Sequence, residues 1–429
     1  MNLIVRQTHS LKGRIEAPAS KSYTHRAVIV AGMNGNATVI NPSRCDDTSK
    51  AVEFMRKLGA TIQDTGDRLD ISGIDGKPRL KNDTPLNVGE SGTLLRFALP
   101  IVALGNGRLH VEGNATLKTR PNREIVDVLR NWGVDIAGQT SEHTLPIQVN
   151  ATGELKGGEA NIQGSRSSQA VSSLLIVAPF AKEDTTIIVD GYLVSRPYVE
   201  ITMDVLKWAG VKVEVSTKGG RECFIVRKGQ RLCPKEPFTI HGDYSGAAFP
   251  LAAAVLSNSD VTIGDLPEDC QGDREIVRIL ERMGARIKRT QNSLRVTGPY
   301  ELQGIEIDCA NTPDLAPLLT VLGCFATGET RIRNVAHLRH KESNRLEQPA
   351  GELKKLGAYI SFTENEIIVR HSELKSGKVA SHGDHRVAMS LAVAALRIEG
   401  GLLIEDSECI SKSYPDFVTD MKTLGAGLS

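Results

Sequence analysis

The sequence predicts an α/β fold built from six repeated units of about 71 residues, which together span all 429 positions. Three observations predict it. A charged helix end followed by Gly and a small or branched residue recurs at Gly59, Gly133, Gly210, Gly284, Gly357 and Gly425, spaced 74, 77, 74, 73 and 68 residues apart. An apolar segment opened by polar residues recurs in step, at Ser22, Ser91, Ser168, Ser245, Asp314 and His385, spaced 69, 77, 77, 69 and 71. Alternating stretches at Arg68–Ser72, Lys212–Val215, Ser293–Val296 and Glu366–Val369 read as half-buried strands, with polar loops such as the one around Asn161 between elements.

Composition bounds what such a fold can do. Lys plus Arg is 52 and Asp plus Glu is 51, a net charge of +1, and Phe, Trp and Tyr number 9, 2 and 7. That balance predicts no nucleic-acid partner, since neither a basic field nor a set of stacking platforms is present. The longest apolar run, near Ala247–Leu256, is about half the roughly 20 residues a membrane helix needs. The first 14 residues have neither an apolar signal core nor a transit composition. Seven scattered cysteines without a C-x-x-C pair argue for reduced thiols and a cytoplasmic location.

Each repeat is expected to open with a helix apolar around most of its circumference, and therefore buried. Its orphan N–H groups need caps, which accounts for serine or aspartate at these starts in any protein of this design. The second helix is amphipathic, carries cations in its last turn and stops at a left-handed glycine, as in Leu353-Lys354-Lys355-Leu356-Gly357. Strands follow.

Some cations do not fit that scheme. Lys21, Arg26 and Arg386 fall in or near first turns, where the positive helix end disfavours them. Arg120 and Lys412 precede exposed helices beside Pro121 and Pro415, expected at the first helical position. Lys341 and Arg345 are expected to begin another exposed helix. Positive groups at helix N-termini are what an anion site requires. Because these residues come from different repeats, the expected site gathers several helix ends in one cleft, for small substrates with several negative charges. Arg123 and Arg196 read instead as surface ion pairs.

Asp314 and Glu342 supply carboxylates among these cations, able to divide acid and base work; a simple capping role is the alternative for each. No G-x-x-x-x-G-K-[ST] or G-x-G-x-x-G loop and no G-x-S-x-G elbow is present. His382 and His385 stand three apart without the further ligands a metal site needs.

Nine phrases, taken in order, resemble one family across the whole chain. They are Ala19-Ser20-Lys21-Ser22-Tyr23-Thr24-His25-Arg26, Ser91-Gly92-Thr93-Leu94-Leu95-Arg96, Arg120-Pro121, Ser167-Ser168-Gln169 and Ser195-Arg196-Pro197-Tyr198. The others are Pro313-Asp314, Lys341-Glu342-Ser343-Asn344-Arg345-Leu346, Asp384-His385-Arg386-Val387-Ala388-Met389 and Lys412-Ser413-Tyr414-Pro415-Asp416. The resemblance is to the enolpyruvyl transferases acting on shikimate 3-phosphate.

It implies a two-domain inside-out α/β barrel, each domain holding three βαβαββ repeats with buried parallel helices and outer sheets. Residues 1–16 and 241–429 would form the phosphoenolpyruvate-side domain and 17–240 the shikimate 3-phosphate side, with the active site in the cleft between them. The implied reaction moves the enolpyruvyl group of phosphoenolpyruvate to the 5-hydroxyl of shikimate 3-phosphate and releases phosphate, with domain closure and no metal or organic cofactor. A cytoplasmic monomer is expected.

Residue by residue, the resemblance implies that Ser22, Arg26, Ser167, Ser168, Ser195, Tyr198 and Lys341 hold shikimate 3-phosphate. Lys21 and Gln169 would touch both substrates. Gly92, Arg120, Arg345, His385, Arg386 and Lys412 would hold phosphoenolpyruvate. Asp314 would take the hydroxyl proton, Glu342 would move a proton at the methylene carbon, and Lys21 would assist. Two positions depart from the pattern: Glu90 stands where many members have Asn, and His337 where some have an Asn that touches shikimate 3-phosphate. An acid aimed inward at position 90 would repel phosphoenolpyruvate. Two other readings remain open here: the sister transferase acting on UDP-N-acetylglucosamine, whose reactive Cys is missing from Gly113–Thr119, and a catalytically silent anion binder.

Overall fold

Glycine ends six helices in the same way. At Gly59, Gly133, Gly210, Gly284, Gly357 and Gly425 the backbone takes φ between 82° and 110°, which only Gly adopts without strain. Each of these glycines donates its N–H to a carbonyl three residues back, as Gly357 does to Lys354. The following residue reaches five back, as Ala358 does to Leu353, so that all six form the paired helix-end motif that satisfies the last carbonyls.

The computed structural model describes residues 1–81 and 83–429. Twelve α-helices are found among the described residues, in the order α1 (Lys21–Met33), α2 (Asp46–Lys57), α3 (Gly92–Ala103), α4 (Arg123–Asn131), α5 (Ser168–Val177) and α6 (Pro197–Trp208), then α7 (Tyr244–Leu256), α8 (Glu275–Arg282), α9 (Ala316–Phe325), α10 (Glu347–Lys355), α11 (His385–Ala395) and α12 (Phe417–Thr423). Odd-numbered helices are buried nearly all round, and every residue of α7 and α11 is buried. Even-numbered helices bury one stripe, as α8 does with Ile276, Val277, Ile279 and Leu280. The alternation of helix types follows the two phrases of the repeat.

Strands complete each repeat. A full repeat reads Pro85–Asn87, α3, Asn106–Glu112, α4, Asp135–Ala137, Ile147–Thr152; the first two strands are parallel and the last two join antiparallel. The same order recurs from Gly158–Gln163 to Arg221–Val226 and from Glu306–Asp308 to Glu366–Arg370. Two repeats borrow a strand from afar: Phe238–Thr239 lies parallel to Asn36–Ile40, and Ser10–Glu16 parallel to Asn258–Gly264. In the last repeat Leu3–Val5 closes the sheet of Gly377–Ala380 and Leu402–Glu405.

The chain divides into two units, residues 1–20 with 241–429, and residues 21–240. The division falls after Ser20 rather than after residue 16. Three backbone bonds hold the intervening residues to the first unit: Ala17 N–H to Gly264 O at 3.0 Å, Asp243 N–H to Pro18 O at 2.7 Å, and Ser20 N–H to His241 O at 2.8 Å. In that unit α7, α9 and α11 pack on one another beneath the sheets, around Phe249, Leu318, Leu322 and Val393. In the 21–240 unit α3 packs on α5, and α6 on α1 and α5.

Local expectations fail where side chains capture the backbone. Lys212 does not join a strand, because Gln230 accepts its N–H at 2.8 Å and donates to its carbonyl at 3.0 Å; the strand runs Glu214–Lys218. Asn161 is not in a loop but in strand Gly158–Gln163, paired with Ile188. Pro121 and Pro415 precede the caps Asn122 and Asp416 instead of opening α4 and α12. Lys341 and Arg345 likewise lie ahead of α10, between a short 3-10 turn at Ala336–His340 and the cap at Leu346.

Candidate active site

In the 21–240 unit, helix starts carry the expected residues. Lys21 opens α1 and holds Asp47 Oδ2 at 3.2 Å, both side chains largely buried. Ser22 is half-buried beside it, and its carbonyl accepts Arg26 Nη1 at 3.0 Å. Arg26 lies a full turn into α1 and is buried; its Nε donates to Thr202 Oγ1 at 2.7 Å, and its guanidinium carbon stands 5.3 Å from the Phe97 ring centre.

Ser91 caps α3 by accepting Leu94 N–H at 3.2 Å, and Ser167 caps α5 by accepting Gln169 N–H at the same distance. Gln169 Nε2 in turn donates to Thr93 Oγ1 at 3.0 Å, tying the start of α5 to that of α3. Ser168, the first residue of α5, is buried. Ser195 is buried with φ 57°, a left-handed conformation that a side chain rarely takes, in the turn leading to Tyr198 on α6.

Gly92 has a geometric reason to be glycine. A β-carbon there would lie 2.5 Å from Arg120 Nη1 and 3.1 Å from Arg96 Nη1. Two guanidinium groups thus press on the positive end of α3, an arrangement that an anion would relieve. Glu90 sits half-buried in the turn just ahead of the Ser91 cap.

The other unit builds its cluster around one guanidinium. Arg345, with a side chain 1% exposed, donates from Nη1 to Asp314 Oδ1, from Nη2 to Glu342 Oε2 and from Nε to Asp384 Oδ2, each at 2.8 Å. Asp384 also caps α11 by accepting Arg386 N–H at 2.9 Å, and Ser343 Oγ donates to it at 2.9 Å. Arg386 Nη2 reaches Asp314 Oδ2 at 3.4 Å, while its buried Nε and Nη1 have no hydrogen-bond partner among the described residues. Lys412 Nζ donates to Gly383 O at 3.0 Å, and His385 is buried with Nδ1 4.0 Å from Asp384.

Asp314 is not a cap, for α9 starts after Leu315. Burial opposes its ionisation, but Arg386, Arg345 and Lys341 outweigh burial and hold it well below the usual carboxylate range. Lys341, expected on shikimate 3-phosphate, therefore lies close enough to act on Asp314. His337 is drawn into the same field: burial first, then Lys341, lowers it to about 3, which keeps it neutral.

Ser245, read from sequence as a cap, is not one either; Asp243 caps α7, accepting from Ser245 and Gly246 N–H, and Ser245 Oγ donates to Asp273. Buried Asp273 is pushed up to about 7 by burial and then by Asp314. No motif or spacing points to Asp273, which sits in the short 3-10 turn Gly272–Arg274. Asp384 carried only the signal of a cap. Arg196 and Arg123 behave as the surface pairs expected, with Glu222 and Glu200, and with Asp127 and Glu142.

Residues 5–421 match the family model described as EPSP synthase (3-phosphoshikimate 1-carboxyvinyltransferase). The chain is 40% identical over 416 residues to a protein of Methanococcoides burtonii named 3-phosphoshikimate 1-carboxyvinyltransferase, covering 96% of each chain. A protein of the same name from Methanocaldococcus jannaschii is 38% identical over 430 residues, 99% of each chain. Among solved structures, EPSP synthase from Acinetobacter baumannii is similar with TM-score 0.80 and 24% identity, over all of this chain and 99% of that one. The enolpyruvyl transferase NikO from Streptomyces tendae gives 0.78 at 20% identity, over 100% and 98%.

Proposed function

The chain belongs to the EPSP synthase (3-phosphoshikimate 1-carboxyvinyltransferase) family, and on that premise we propose which of its residues carry the reaction. It is an enzyme that transfers the enolpyruvyl group of phosphoenolpyruvate to shikimate 3-phosphate in the shikimate pathway. Asp314 takes the proton of the 5-hydroxyl as its oxygen bonds to C2 of phosphoenolpyruvate, and Glu342 delivers a proton to the methylene carbon. A proton then returns from that carbon to Glu342 as the C2–O bond to phosphate breaks, and the proton held by Asp314 passes to the departing phosphate, so that the enol ether and inorganic phosphate leave.

One observation carries this assignment: Asp314 and Glu342 share the Arg345 guanidinium at 2.8 Å each. Substrate anions offered to Arg345, Arg386 and Lys412 would loosen that hold. Asp314 would then rise toward a basicity that suits proton acceptance. Ser22, Arg26, Ser167, Ser168, Gln169, Ser195, Tyr198 and Lys21 are proposed for shikimate 3-phosphate, with Lys341. Gly92, Arg120, His385 and again Lys21 and Gln169 are proposed for phosphoenolpyruvate. The protein is proposed to act as a monomer in the cytoplasm; among the described residues no helix is long and apolar enough to cross a membrane.

The test follows phosphate and enol-ether release from the two substrates by the parent and by Asp314→Asn. Turnover is expected to fall by about 100-fold or more. Inorganic phosphate should bind the variant at least as tightly as the parent, because a negative charge has left the cluster. Near-normal turnover would remove Asp314 from the proton transfer.

A further inference from the structure

His382 belongs to none of the sets above, yet it is held with unusual care. Its backbone is left-handed, φ 56°, and Gly383 continues at 69°, so two successive residues turn the chain sharply into α11. A non-glycine residue persists in that conformation only where its surroundings fix it. Here the fixing group is Glu352 on α10, whose side chain is 3% exposed. Its Oε1 lies 2.7 Å from His382 Nε2, and its Oε2 accepts Ala380 N–H at 3.1 Å. Lys355 Nζ donates to both oxygens at 2.8 Å.

The strap of residues 381–384 between these anchors carries two of the contacts that place cations. Gly383 O accepts from Lys412 Nζ at 3.0 Å, and Asp384 receives Arg345 Nε at 2.8 Å and Nη2 at 3.1 Å. Ser381 Oγ pins the far side by donating to Asp406 O at 2.9 Å and accepting Gly383 N–H at 3.1 Å. Movement of His382 would therefore be felt at Lys412 and Arg345 before it is felt in the core.

We propose that Glu352 and His382 form a positioning pair, which sets the 381–384 strap and through it the Lys412 and Arg345 cations that receive phosphoenolpyruvate. The ligand class rests on the functional reading above; the placement of an anion by the pair does not. Glu352 keeps Lys355 and Ala380 when the imidazole is removed, so His382→Ala leaves its carboxylate satisfied and the fold intact. The loss then falls on the strap.

The experiment compares parent, His382→Ala and His382→Gln, whose amide nitrogen can stand where Nε2 stood. Steady-state kinetics give kcat and both KM values, and calorimetric titration gives the affinity for inorganic phosphate. His382→Ala is expected to raise KM for phosphoenolpyruvate and weaken phosphate by about tenfold, as expected when one hydrogen bond to a charged group is lost. KM for shikimate 3-phosphate and kcat should stay within about twofold, a split that general destabilisation would not produce. His382→Gln should recover most of the loss. Unchanged phosphate affinity in His382→Ala, an equal rise in both KM values, or no recovery with Gln would each overturn the proposal. A parent that binds phosphate but makes no enol ether would refute the functional reading alone, and the phosphate titration would still decide the pair. Should His382→Ala fail to fold, Glu352→Gln takes its place, with a weakening of phosphate by about threefold expected and no change overturning the proposal.

Discussion

Arg26 and Arg345 are both buried arginines, one in each unit, and their surroundings differ in kind. Arg26 donates to Thr202 Oγ1, to the Ser22 carbonyl and, at 3.5 Å, to Ser172 Oγ, and rests against Phe97. Burial lowers it from its ordinary value to about 10. For Arg345 burial acts in the same direction, but Asp384, Glu342 and Asp314 overturn it and raise the group well above its ordinary value. One arginine is wired through neutral oxygens, the other through three charges. A neutral cradle suits a substrate rich in hydroxyls, whereas a balanced ionic cluster suits proton traffic, because each arriving anion redistributes charge among groups already in place.

The largest test of that contrast removes the guanidinium from each. Arg345→Met strands three carboxylates and should cost about 3–5 kcal/mol in urea unfolding, as breaking a buried ion cluster does. Arg26→Met leaves hydroxyls and a carbonyl, and should cost about 1–3 kcal/mol. Equal losses would mean that the ionic cluster is not what sets Arg345 apart.

A smaller effect reads the same cluster by pH. Asp273, held by Ser245 and pushed up to about 7, keeps its proton in the native state where an unfolded carboxyl has released it. The native state then binds more protons between about pH 4 and pH 7, so this group's contribution to stability falls as pH rises through that window, by at most about 1.4 kcal/mol per pH unit. Asp273→Asn should remove that slope: relative to the parent, the variant becomes more stable as pH goes from 4.5 to 7.5. Parallel unfolding curves would place Asp273 outside the charge cluster.

What the sequence disclosed follows from how far each interaction reaches. The helix-end glycines were legible because the motif is closed within six residues, as from Leu353 to Ala358. Buried and exposed helices were legible because periodicity is local too. The caps were half legible: Ser91 and Asp384 behave as expected, but the cap of α7 is Asp243, two residues from the serine that the repeat singled out. Asp314 could be named from its place in the repeat and Glu342 from its basic neighbours, yet nothing nearby in sequence shows that Arg345 binds both, with Asp384 as third partner 39 residues away. Asp273 meets Ser245 across 28 residues, and Glu352 meets His382 across 30. Contacts of that range are set by which sheets and helices pack, so one sequence read along its length does not reveal them.

The smallest effect concerns the start of α3 and asks whether the cations of the 21–240 unit are as fixed as Arg345. In Gly92→Ala the new β-carbon would lie 2.5 Å from Arg120 Nη1, a contact no real structure keeps, so something must move. The encroached atom is the far end of a flexible side chain, and α3 itself gains a better helix former. The guanidinium should therefore swing aside while the helix stays, leaving stability within about 0.5 kcal/mol of the parent. An anion seated between the α3 N-terminus and Arg120 loses one of its donors and meets a methyl group. KM for phosphoenolpyruvate should rise by about tenfold, the equivalent of one such contact, with KM for shikimate 3-phosphate little changed. A large loss of stability without that kinetic split would show Arg120 locked in place as firmly as Arg345, and the contrast between the two units would then rest on Arg26 alone.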